Sequence, residues 1–152
     1  RFELGAVDIL KQGREVTIAA VGSVVYEAFF AALELEKAGI SAEVLNVSSI
    51  RPLNGRGIAE SIRKTKAVVT VEEHSLHGGL GTLVSEIIAE EELRARIVRL
   101  GLKKSEFSKA GPRAEIRAYY KIDQTGIVNS VEKLIGGLNT ARKVEDEHAP
   151  TL

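Results

Sequence analysis

The sequence predicts an α/β fold, a largely parallel sheet with helices on both faces. Short β-rich apolar runs alternate along the chain with longer stretches whose apolar residues recur at helical spacing. Strand–helix–strand order, once repeated, places the strands parallel and the helices on both sides of the sheet. Size agrees: 152 residues, 44% hydrophobic and 28% charged, suit a single domain with a real core.

Residues 7–10 form an extra strand ahead of the first unit, read as an antiparallel edge. Residues 16–21 (VTIAAV) are a strand buried on both faces, closed by Gly22-Ser23. Residues 24–37 then carry Val25, Ala28, Phe29, Ala32 and Leu35 at helical spacing, with Ser23 as the expected N-cap and Gly39 as the stop. Residues 42–47 are the next strand. Pro52 and Asn54-Gly55 break the chain, and a short helix covers residues 58–64. AVVTV, residues 67–71, is another buried strand, followed by a helix over residues 82–90 with Leu83, Val84, Ile87 and Ile88 apolar. Residues 97–100 give the last strand. Residues 103–121 read as irregular, and residues 123–135 as a helix with Ile127, Val128, Val131, Leu134 and Ile135 on its apolar side. The chain reads as one domain over residues 1–138, followed by a polar, charged, disordered tail over 139–152.

The formal net charge of zero leaves no electrostatic footprint for nucleic acid or an anionic membrane. No apolar run approaches the roughly 18 residues that span a bilayer, and no signal-peptide pattern is present. Cysteine is absent, which excludes disulfides and thiolate metal sites and favours the cytoplasm. The chain starts at Arg1 and contains no Met, so it reads as a piece of a longer protein.

Chemistry concentrates in residues 72–81, EEHSLHGGLG. Glu72 and Glu73 are neighbours on a strand and point to opposite faces, so they are no facing acid–base pair. One faces the crevice beyond the strand; the other is covered by a helix or solvated. His74 and His77 have the chemistry of metal ligands, but spacing fixes no third ligand. Gly78, Gly79 and Gly81 precede a helix. Their N–H groups have the geometry to cradle an anion; equally, glycines there supply the φ > 0 backbone of a tight strand-to-helix turn. The run is not G-x-G-x-x-G, and no GK[ST] follows. Elsewhere there is no G-x-S-x-G elbow. Ser48, Ser49 and Arg51 read as a turn, Glu90–Glu92 as a solvated helix end, and Tyr119-Tyr120 as packing at the sheet edge.

The order of motifs is more specific than any one of them. VTIAAVGS, the strand followed by IRPL, the EEHSLHGGLG turn and the late TGI helix start together resemble the C-terminal domain of the transketolase family of thiamine-diphosphate enzymes, over residues 2–138. The 2-oxo-acid dehydrogenase beta subunits and deoxyxylulose-phosphate synthases share this domain. The resemblance implies a three-layer α/β/α fold with a five-stranded mixed sheet, order 1-3-2-4-5, strand 1 antiparallel, the strands beginning near Ala6, Val16, Ala42, Ala67 and Ile97. It also implies that thiamine diphosphate and a divalent metal (Mg) are held by the other two domains of the enzyme, so that this domain has no catalytic, cofactor-binding or metal residue of its own. Its implied role is to support the catalytic domains and the dimer of an enzyme that moves two-carbon ketol units between sugar phosphates. The strand order reverses between strands two and four, and ligands of open α/β sheets favour such a point. Gly22, Ser23, His74, His77, Gly78, Gly79 and Gly81 therefore line the expected crevice, as a small-anion site of a regulatory module or as a contact surface for the other domains.

Overall fold

A computed structural model describes residues 4–103 and 110–147. The strands are β1 (Val7–Lys11), β2 (Val16–Val21), β3 (Ala42–Val47), β4 (Ala67–Ser75) and β5 (Arg96–Leu102), and the helices α1 (Val25–Lys37), α2 (Gly55–Thr65), α3 (Leu80–Glu90), α4 (Arg113–Tyr120) and α5 (Gln124–Glu147). The sheet order is β1-β3-β2-β4-β5. β1 pairs antiparallel with β3, and every other pairing is parallel. The expected topology is the one found.

Strand parity decides which core each residue enters. Val16, Ile18 and Ala20 of β2, with Val69 and Val71 of β4, pack under α1 and α5. Ala19 of β2, Leu45 of β3 and Val68 of β4 pack under α2 and α3 with Ile58, Ile62, Leu80 and Val84. Burying each large aliphatic of this set contributes about 1.5–3 kcal/mol, so both sheet faces are covered and the central strands read as continuous apolar runs.

One buried polar cluster interrupts the second core. The Glu43 side chain is 1% exposed. Its carboxylate accepts a hydrogen bond from Ser61 Oγ at 2.6 Å and pairs with Lys64. Thr17 Oγ1 lies 2.7 Å from Ser61 Oγ and 2.8 Å from Thr65 Oγ1. These partners let a carboxylate and three hydroxyls lie beneath α2.

Several elements differ from expectation. Asn54, read as a break, is the N-cap of α2: its side chain accepts from the Gly57 N–H at 3.2 Å, so the helix begins at Gly55. β4 runs four residues further than Val71, carrying both glutamates and His74 on the strand. Residues 113–120 of the expected irregular stretch are α4, which seats Tyr120 and part of Ile116 in the first core; residues 104–109 of that stretch lie outside the described residues. α5 continues past the expected end at Ile135 as far as Glu147, and residues 148–152 of the expected tail lie outside the described residues.

Candidate functional site

β2 and β4 are neighbours, with Val21 paired to Glu72, and the chain leaves β2 toward β3 but returns on its other side as β4. The loops beyond their C-terminal ends form the crest of the domain. After β2, Gly22 takes φ +76° and a single 3-10 turn, Gly22–Val24, leads into α1. After β4, residues 76–79 turn the chain into α3. Gly78 has φ +78°, a conformation that costs other residues about 1–2 kcal/mol. Thr82 staples this turn: its hydroxyl accepts from the Gly78 N–H at 3.0 Å and donates to the Leu76 carbonyl at 3.1 Å.

Glu72 points to the α2/α3 face and is 1% exposed. Its Oε2 accepts from the Leu80 N–H and its Oε1 from the Gly81 N–H, both at 2.9 Å. The helix N-terminus expected to cradle an external anion thus holds the chain's own carboxylate, where the helix dipole favours negative charge. The N–H groups of Leu80 and Gly81 are thereby committed internally. Gly79 itself has φ −96°, so no left-handed backbone requires glycine there. The requirement is space: a Cβ on Gly79 would lie 1.8 Å from Glu72 Oε2.

Glu73 points to the other face and meets α4. Its Oε1 accepts from Arg117 Nε at 2.8 Å and lies 3.5 Å from Arg113 Nε. The Ser23 hydroxyl donates to Glu73 Oε2 and accepts from Arg117 Nη2 at 2.8 Å and Arg113 Nη2 at 3.1 Å. Ser23 is therefore not the N-cap of α1; that position is Val24, with no side-chain cap bond. Arg117 Nη1 donates to Glu27 Oε1 at 3.0 Å, and Glu27 Oε2 accepts from the Gln124 N–H at 3.0 Å. One guanidinium thus ties together the β2 turn, α1 and β4, and Glu27 carries the connection to the start of α5.

The hydrogen bond from Arg117 holds the Glu73 carboxyl below its usual range, with Ser23 and the charges of Arg117 and Arg113 adding to it and burial opposing it. Glu73 in turn raises the Arg117 guanidinium above its ordinary value. A depressed carboxyl contributes stability that is present above its unfolded pKa and lost as pH falls through its folded one. Arg117 stays charged throughout that range. The stability gap between the wild-type chain and Glu73→Gln should therefore be constant from neutral pH down to about pH 5, then close as the pH falls further. Urea unfolding at a series of pH values measures it. A gap that persists at the acid end would mean that Glu73 ionisation does not stabilise the fold.

Of the residues expected at the crevice, Gly22, Ser23, His74, His77 and Gly78 are exposed at the crest, whereas Gly79 and Gly81 are buried beneath it. His74 Nδ1 lies 3.0 Å from the Ser75 carbonyl oxygen and 4.0 Å from Glu72 Oε2. Among the described residues no group of three His, Cys, Asp or Glu side chains is placed to hold a metal, and no helix is long and apolar enough to cross a membrane. Glu27, Arg113 and Arg117 were not singled out from the sequence. The signal for the two arginines was their i, i+4 spacing beside the i, i+4 pair Ile116 and Tyr120, in a segment just after Gly111-Pro112.

A mixed five-stranded sheet with one antiparallel edge strand and a switch point filled from within defines a doubly wound α/β/α domain, a class with both ligand-binding and purely structural members. The particular family follows from comparison. The chain belongs to the transketolase C-terminal domain family, whose model, "Transketolase, C-terminal domain", matches residues 5–127. It is 38% identical over 128 residues to an apulose-4-phosphate transketolase subunit of Actinobacillus succinogenes, covering 84% of this chain and 41% of that protein. It is 41% identical over 133 residues to the 1-deoxy-D-xylulose-5-phosphate synthase of Halothermothrix orenii, covering 87% of this chain and 21% of that one. Among solved structures, a split-gene transketolase described as an inactive beta4 tetramer superimposes with a TM-score of 0.82 at 38% identity, over 90% of this chain and 44% of that chain. The chain thus spans less than half the length of these relatives.

Proposed function

We propose that the chain is the non-catalytic C-terminal domain of a transketolase, bracing the catalytic domains and the subunit assembly of an enzyme that transfers two-carbon ketol units between sugar phosphates. The family match over residues 5–127 carries the reading. Two features of the crest support it. Both of its carboxylates are spent on internal donors, Glu72 on the start of α3 and Glu73 on Ser23, Arg113 and Arg117. The other exposed groups there, Gly22, His74, His77 and Gly78, suit a contact surface for a neighbouring domain. Thiamine diphosphate and its magnesium belong, on this reading, to the other domains, the parent enzyme is a dimer, and it acts in the cytoplasm. On the same reading the domain spans residues 1–138, with α5 continuing beyond it as far as Glu147.

Deleting residues 1–152 from the parent enzyme tests the role. The expected result is a fall in oligomer size by light scattering together with loss of turnover, while the remaining domains still bind the cofactor. A truncated enzyme with unchanged size and turnover would overturn it. The 41% identity to a deoxyxylulose-phosphate synthase supports a second parent, in which the same domain braces an enzyme of that type. Assaying the full-length parent with each enzyme's substrates separates the two.

A further inference from the structure

We propose that Ser23, Arg113 and Arg117 form an oxyanion site whose resident ligand is the chain's own Glu73 carboxylate, and that a phosphate-class anion takes the site once that carboxylate is removed. The donors come from the β2 turn and from successive turns of α4, yet they converge on one carboxylate. Arg117 Nε reaches Glu73 Oε1 at 2.8 Å, and the two guanidiniums approach Ser23 Oγ at 2.8 and 3.1 Å. Forked guanidinium donors and a hydroxyl match the tetrahedral oxygens of phosphate at least as well as the two oxygens of a carboxylate.

The site is preorganised without its ligand. Arg117 is 9% exposed, and its Nη1 is held by Glu27, itself fixed by the Gln124 N–H at 3.0 Å. Loss of Glu73 therefore leaves the fork aimed at the same place. It also leaves two guanidiniums against the single carboxylate of Glu27, an excess of one positive charge beside the start of α1. The two internal anions of the crest differ in access. Glu72 is sealed at 1% exposed, whereas the Glu73 side chain is 30% and that of Arg113 68% exposed, so only the second site opens to solvent.

Thermal unfolding of the 152-residue chain in sodium phosphate and in sodium chloride of equal ionic strength provides the test, on the wild type, Glu73→Ala and Glu73→Ala/Arg117→Met. Glu73→Ala should gain a saturable, phosphate-dependent rise in melting temperature at millimolar phosphate. The wild type and the double variant should respond alike to the two salts. If Glu73→Ala does not fold in chloride, its refolding yield in phosphate against chloride reads the same effect. A Glu73→Ala chain that phosphate helps no more than chloride, or a double variant that keeps the full gain, would overturn the proposal.

Discussion

Gly79→Val should destabilise the chain by about 3–5 kcal/mol, and His77→Ala by less than about 0.5 kcal/mol. The cause is the position of one buried carboxylate. A Cβ at residue 79 would lie 1.8 Å from Glu72 Oε2 and 2.7 Å from its Cδ, closer than any side chain can tolerate. Either the carboxylate moves, abandoning the Leu80 and Gly81 N–H groups while still buried, or the turn moves and α3 with it. Both outcomes leave a charge or two donors unpaired in the interior. His77 is exposed, and its contact with Ser75 Oγ is made by its backbone N–H, which alanine retains. Urea midpoints of the two variants measure the difference. The mechanism has its own control: with Glu72→Ala already in place, most of the cost of Gly79→Val should vanish, because the clash is with that side chain. Strictly additive costs would place the constraint elsewhere in the turn.

Arg117→Met should cost roughly 2–3 kcal/mol, below the range for a fully buried ion pair because the Glu73 side of the cluster is partly solvated. Methionine keeps most of the aliphatic contact along α4, so the loss reports the charge. Glu27 would then keep only the Gln124 N–H, and Glu73 only Ser23 and the exposed Arg113, so the link from α4 to α1 would break. A double-mutant cycle with Glu73→Gln should show that the two changes together cost clearly less than their sum. A cost for Arg117→Met within about 0.5 kcal/mol would class the cluster as an ordinary surface charge group.

The sheet was legible because burial on both faces writes itself into consecutive residues. Residues 16–21, read as an apolar run, and residues 42–47, read as the next strand, coincide with β2 and β3. Boundaries set by polar residues were less legible. The run 67–71 stops where the apolar residues stop, but β4 continues through Glu72, Glu73, His74 and Ser75, since backbone pairing with β2 and β5 does not depend on side-chain polarity. α4 escaped notice because eight residues with only Ile116 and Tyr120 in the core carry little periodic signal. At the crest, strand parity sends Glu72 and Glu73 to opposite faces, as expected, with Glu72 against α3 and Glu73 against α4. Their partners divide by distance along the chain. Leu80 and Gly81 lie eight and nine residues from Glu72, within the span of one strand-to-helix turn. Arg117 lies 44 residues from Glu73, and no local pattern pairs them.

Calorimetric titration of the 152-residue chain with thiamine diphosphate and magnesium tests the central claim most directly. If the chain is the supporting domain proposed above, with its crest carboxylates committed to internal donors, it should give no saturable heat at micromolar cofactor. Saturable micromolar binding would place cofactor chemistry on this chain and contradict its assignment as the supporting domain.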